Sequence, residues 1–199
     1  METGPGRANQ KQRTRTAIVA AARELARTGS EVTMPAVAME ALVSEATAYR
    51  YFPDLVSLLH EAFTGLWPSP AESMARVADC ADVVERVACA AEVLLQGVWA
   101  YQGAVRAMIA ASATRPDVAA ARPGQRFLLI EHALAPPADV SSIPPGRLAQ
   151  LRLDLAVVVS AEALFTLTDL CGLTVQDAIA SAVRTARTLA RAAAQAGPA

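Results

Sequence analysis

Aromatic residues make up only 5% of this 199-residue chain, and β-branched residues gather in a few runs. No stretch alternates apolar and polar residues for long enough to form a half-buried strand, so a sheet protein is excluded and an all-helical one expected. Histidine occurs twice, at His60 and His132, in unrelated segments. His60 reads as an exposed residue of a helix. No HExxH, CxxC, GxSxG or phosphate-loop pattern is present. The residues therefore assign no catalytic group, no metal ligand and no cofactor. Cysteine occurs three times, at Cys80, Cys89 and Cys171. An odd number, with no apolar leader in METGPGRANQKQR, points to free thiols in a reducing cytoplasm. Cys80 and Cys89 fall on opposite sides of a helix turning about 100° per residue, so they do not pair within one. The most apolar run, Leu153 to Leu173, carries Asp154, Glu162 and Asp169. It reads as a buried helix, and no membrane partner is expected.

What the chain has in quantity is alanine and other apolar residues, 53% hydrophobic in all, enough for a sizeable helical core. Net charge is −1 but uneven. Residues 1–30 hold Arg7, Lys11, Arg13, Arg15, Arg23 and Arg27 against Glu2 and Glu24. A basic start on a near-neutral body suggests local contact with a polyanion, or simply a solvated tail.

Helix punctuation divides the chain. Ile18, Ala21, Ala22, Leu25 and Ala26 give a first helix from about Arg13 to Thr28, ended by Gly29. Thr33 caps a second helix with Pro35 in its first turn. A tight turn at Leu42 and Val43 follows. Ser44 caps a short third helix to Tyr51, stopped by Pro53. Asp54 caps a fourth, whose apolar face is Leu55, Leu58, Leu59, Ala62, Phe63 and Leu66. The WPSP at Trp67–Pro70 marks a boundary. Further helices are expected over about 71–101, broken near Ala78, then 102–114, 124–134, 147–170 and 175–195. A Pro-rich connection fills 135–146, and Thr174 with Asp177 resembles a capping box.

Two helices joined by a tight turn, flanked by supporting helices, form a helix-turn-helix. On its second member, Val43, Ala48 and Phe52 take core duty. Glu45, Ala46 and Thr47 stand where base edges are read: small residues permit close approach, Thr47 suits a thymine methyl, and Glu45 suits a cytosine amino group. Tyr49, Arg50 and Tyr51 suit phosphates. Thr33 and Ser44 cap helix N-termini that face the DNA backbone, and Arg13 adds a cation at the start of the first helix. In isolation, Tyr49 and Tyr51 are also compatible with half-buried structural aromatics.

These residues resemble the N-terminal domain of TetR/AcrR-type transcriptional regulators. The resemblance is carried by Ile18 to Leu25 with Gly29, by Thr33 and Val37-Ala38, by Val43 to Phe52 with its Thr47-x-Tyr49-x-x-Phe52 core, and by Leu58-Leu59. It implies an all-helical dimer with an effector pocket in the C-terminal part. On it, Thr33, Ser44, Tyr49 and Tyr51 contact phosphates, and Glu45, Ala46 and Thr47 face bases. Three positions depart from the pattern. Leu42 stands where the family has Gly, Leu55 where it has a phosphate-binding Lys, and Glu45 brings a negative charge to the groove. The first 60 residues hold seven basic against six acidic side chains, modest for a DNA binder.

The expected organisation is a flexible basic arm over 1–12, a helix-turn-helix domain over 13–60 and an effector-binding and dimerisation bundle over 61–199. The last two helices carry long apolar stripes, one with Leu148, Leu151, Leu155, Val158, Val159 and Phe165, the other with Ala178, Ala182, Ala186 and Ala190. A homodimer through these helices is expected, reading a palindromic operator in double-stranded DNA. Trp99, Met108, Phe127 and Phe165, with Glu131 and Glu162, are the candidate contacts for a small apolar or amphipathic effector. Each is also compatible with ordinary core or surface duty. The expected function is a cytoplasmic one-component regulator, a repressor. The alternative is a helical dimeric binding protein without an effector-controlled DNA function.

Overall fold

The computed structural model describes residues 5–64, 67–113 and 124–195. No strand occurs among them, as an all-α fold requires. In chain order the helices are α1 (Pro5–Arg27), α2 (Met34–Glu40), α3 (Glu45–Tyr51), α4 (Leu55–Phe63), α5 (Pro70–Ser73), α6 (Val83–Ala100), α7 (Gln102–Ala113), α8 (Gln125–Leu134), α9 (Pro145–Val158), α10 (Ala161–Phe165) and α11 (Val175–Gln195). None is long and apolar enough to cross a membrane.

Helix α1 begins at Pro5, eight residues ahead of the expected start at Arg13. The flexible arm expected over 1–12 is thus helical from Pro5, and residues 1–4 lie outside the described residues. The reason is local. Proline is tolerated in a first helical turn, and Arg7 to Arg13 are mostly good helix formers. Extending a helix already nucleated by the buried Ile18, Ala21, Ala22 and Ala26 costs little.

The caps fall where the side chains put them. Thr33, in an extended conformation, accepts from the Ala36 amide at 3.2 Å. Asp54 accepts from the Ser57 amide at 2.8 Å. Helix α4 buries Val56, Leu58, Leu59, Ala62 and Phe63, whereas Leu66, expected on the same face, lies outside the described residues.

The chain packs as two compact units. The first comprises the residues up to Trp67 and the stretch from Ala100 that contains α7. Its core joins Ile18, Val37, Phe52, Leu58 and Leu59 to Ala104 and Met108 of α7. Gly103 permits that approach, because a Cβ there would meet the Ser30 carbonyl oxygen at 2.7 Å. The Tyr101 ring meets Phe63 edge-on, with centroids 5.3 Å apart. The boundary expected at residue 60 separates α7 from the first four helices in sequence, but in packing α7 joins them.

The second unit holds Pro68–Trp99 and the chain from Gly124. The helix expected over 71–101 is divided into α5, a 3-10 turn at Ala75–Val77 and α6. Cys80 precedes α6, so Cys80 and Cys89 do not share a helix. The helix expected over 147–170 is broken too. Three consecutive valines, Val157–Val159, crowd their own turns, and Ser160 offers an alternative cap. The Ser160 hydroxyl donates to the Val157 carbonyl at 2.7 Å and accepts from the Ala163 amide at 3.0 Å. Helix α10 starts there and passes into a π-helical turn, Thr166–Leu170. Helix α11 opens on the expected pair, with Thr174 donating to Asp177 at 2.7 Å. Its buried Ala178, Ala182, Ala186 and Ala190 repeat every fourth residue and form a low ridge that lets α9 pack closely through Leu151 and Leu155.

One polar residue sits at the centre of this unit. Arg86 of α6 is 1% exposed. Its guanidinium donates to the carbonyls of His132 at 2.7 Å and Ala133 at 3.0 Å, and to that of Val77 at 2.7 Å. These oxygens end α8 and the 3-10 turn, where backbone acceptors lack helical partners and carry partial negative charge.

Candidate nucleic-acid interface

Helix α3 is only seven residues long, too short to persist alone, so its side chains and neighbours must hold it. At its start the Thr47 amide donates to Ser44 Oγ at 3.2 Å, and the Ser44 hydroxyl donates to Thr47 Oγ1 at 2.9 Å. Beneath it Ala48 and the capping residue Phe52 are buried. Glu45, Ala46, Tyr49 and Arg50 are exposed, while Thr47 and Tyr51 are half-buried. Of the α3 residues expected at DNA, Glu45, Ala46, Tyr49 and Arg50 thus lie on the outward face. Arg50 lies 5.7 Å from the Tyr51 ring centroid, a cation–π contact that steadies a long side chain.

The turn before α3 is tight. The Val43 amide donates to the Ala38 carbonyl at 2.9 Å, and Leu42 adopts φ of +55°. That left-handed conformation is the one for which glycine is suited, so the leucine is strained. Leu55, where the family pattern has lysine, packs against the core. Thr33 is half-buried, with its hydroxyl committed to the α2 cap.

Across from α3 stands the N-terminal part of α1. Gln10, Lys11 and Thr14 of α1, with Val43, Ser44, Thr47, Arg50 and Tyr51, line an open cleft of about 550 Å³. Lys11 is the only lysine in the chain. Lys11 and Arg50 bring two cations to one polar cleft, the chemistry that accepts a phosphate. Arg13 is exposed and points elsewhere, lining a separate shallow groove with Asn9, Gln12 and Thr16. Sequence reasoning counted Lys11 in a basic arm and did not bring it to this cleft with Gln10 and Thr14. Their helical spacing carried the signal, hidden by reading this stretch as an arm.

Elsewhere in the same unit, Arg15 pairs through its Nε with Glu61 Oε1 at 2.8 Å and through Nη2 with Glu61 Oε2. These bonds hold the guanidinium above its ordinary pKa. Arg23 donates to the Ala62 carbonyl at 2.6 Å, a second strap between α1 and α4.

The candidate effector residues divide. Met108 is buried in the core of the first unit. In the second, Trp99 is half-buried, Phe165 is buried, and Phe127 and Glu131 are exposed. Glu131 pairs with Arg152 at 2.8 Å. Arg126 joins two candidates: it donates to Glu162 at 2.9 Å and lies 5.9 Å from the Phe127 ring centroid.

A helix-turn-helix with a capped, exposed second helix defines a DNA-binding protein by class. Residues 17–62 match the family model of bacterial regulatory proteins of the tetR family. Over that stretch the chain is similar to the DNA-binding region of the tetR family. Its fold is similar to that of a TetR transcriptional regulator from Rhodococcus sp. RHA1, with a TM-score of 0.51 and 22% identity over 89% of this chain and 96% of that one. At that identity the likeness establishes the fold alone. No curated protein matches the chain at a significant level.

Proposed function

We propose that the protein is a cytoplasmic repressor that binds a palindromic operator as a homodimer and is released by a small apolar or amphipathic effector. The observation that carries the DNA reading is the capped α3 with its cleft. Glu45 and Ala46 stand outward for base edges with Thr47 half-buried at the cleft, Ser44, Arg50 and Tyr51 line a space for the backbone, and Tyr49 is exposed on the same helix for a further phosphate. In this reading Lys11 supplies the cation that Leu55 does not, Thr33 presents the α2 N-terminus to a phosphate, and Arg13 serves a flanking one.

The dimer, expected through the last two helices, is proposed instead through α9 and α8, because the alanine stripe of α11 is buried within the chain while Leu153 and Val157 of α9 and Phe127 and Leu128 of α8 are exposed and apolar. The bonds from Arg126 to the Ala156 carbonyl and from Arg152 to Glu131 set these residues at matching levels of the two helices. The effector reading rests on Phe127, Glu162 and Arg126 of the second unit, with Trp99, Glu131 and Phe165 of the same unit as further candidates, while Met108 belongs to the core of the first unit. An effector releases DNA only if it prefers the DNA-incompetent state.

The test is selection of bound sequences from random duplex DNA, followed by titration of the selected duplex at several salt concentrations. A palindrome is expected, lost in Tyr49→Ala. Lys11→Ala is expected to flatten the slope of log K against log salt by about 0.9, one phosphate contact. Failure to enrich any sequence overturns the reading.

A further inference from the structure

An acidic residue inside a DNA-binding domain ordinarily opposes binding, because phosphate attraction dominates affinity. Glu61 of α4 is placed to do the reverse. Its carboxylate holds both Nε and Nη2 of Arg15. The remaining nitrogen, Nη1, lies 3.4 Å from the Tyr51 carbonyl, and the guanidinium stacks over the Phe52 ring, 4.5 Å from its centroid. Tyr51 is the last residue of α3 and Phe52 its C-cap. Both edges of the guanidinium are thus committed within the protein. A cation at this place satisfies a carbonyl that a helix end leaves unpaired and complements the negative end of the helix dipole.

We propose that Arg15, oriented by Glu61, is a positioning residue for the DNA-reading helix. Arg15 fastens the C-terminal end of α3 to α1 and α4 together, as Ser44 fastens its N-terminal end. The pair adds little to stability, since its side chains are 38% and 39% exposed and ion pairs so placed contribute little. Its effect is on orientation: a bidentate pair holds the arginine plane in one direction, and a lone arginine at this exposure turns freely. Movement of α4 therefore reaches the end of α3 through one side chain. The inference rests on the DNA reading above and gives Glu61 a sign opposite to that of simple electrostatics.

The test compares Glu61→Gln, Arg15→Lys and the double variant with the native protein. Fluorescence anisotropy would be read on the selected operator and on a scrambled duplex of equal length, at two salt concentrations. Glu61→Gln is expected to weaken operator binding about threefold, the order of one half-exposed ion pair, despite removing a negative charge. Its affinity for the scrambled duplex is expected to hold or rise, and its salt slope to stay unchanged. Arg15→Lys keeps the charge, loses the fork and is expected to match Glu61→Gln, with the double variant no worse than either. Tighter or unchanged operator binding by Glu61→Gln overturns the proposal. So does an equal loss on both duplexes with a lowered melting temperature, which marks the pair as a stability element. If the native protein itself fails to distinguish the two duplexes, the DNA reading falls and takes this inference with it.

Discussion

Leu42 carries the clearest conflict between a residue and its backbone. Its φ is +55° and its side chain is 93% exposed, so no burial offsets the strain. For a residue with a Cβ the left-handed conformation costs about 1–2 kcal/mol. Glycine removes that cost and adds back about 0.5–1 kcal/mol of chain entropy in the unfolded state. Leu42→Gly is therefore expected to stabilise the first unit by up to about 1 kcal/mol, read as a higher urea midpoint at unchanged slope. A lower midpoint would show that the leucine makes a compensating contact. Gly103 is the converse case, a glycine that α7 requires to approach the Ser30 carbonyl.

At the scale of the element, helix ends matter more than helix middles. Ser44, Thr33, Asp54, Ser160 and Thr174 each start a helix by accepting an amide that would otherwise lack a partner. Arg86 does the same for carbonyls at the end of α8 and of the 3-10 turn, from the buried middle of α6. Arg86→Met keeps the apolar bulk but leaves those buried oxygens without donors. The expected loss is about 3 kcal/mol, measured by urea unfolding of the second unit's signal. Arg86→Lys is expected to recover little of it, because one ammonium does not span carbonyls from two elements. Native-like stability of Arg86→Met would mean that water replaces the guanidinium.

At the scale of the whole molecule, the proposed dimer governs specificity, since two reading helices about one DNA turn apart recognise a palindrome. Leu153 and Val157 of α9 are 63% and 71% exposed, a pair of apolar side chains one helical turn apart. Replacing both with Glu is expected to weaken self-association by at least about a hundredfold, roughly 3 kcal/mol of lost apolar burial and added charge repulsion. Sedimentation over a concentration series measures this. The native protein is expected as a dimer at micromolar concentration and the double variant as a monomer with reduced operator affinity. A monomeric native protein, or a variant that still dimerises, would move the interface away from α9.

The helix-turn-helix was legible in the chain because its determinants are local. A cap acts on an amide three residues away, a proline stops its own helix, and Ala48 and Phe52 are a helical turn apart. The departure at Leu42 was visible only through the family resemblance, as a turn that lacks the family's glycine, and its strain is seen in the structure. What only the tertiary structure decided involves residues distant in sequence. Arg15 meets Tyr51 and Glu61 from 36 and 46 positions away, and Arg86 reaches Ala133 across 47. No periodicity records such pairings, since a guanidinium finds its acceptor by packing. The same holds for α7, whose Met108 is an ordinary apolar residue in sequence and a core partner of Ile18 only once Gly103 has let the backbones close. Lys11 lies between these cases. Its helical register is local, but its place on the same cleft as Arg50 follows from how the first unit packs.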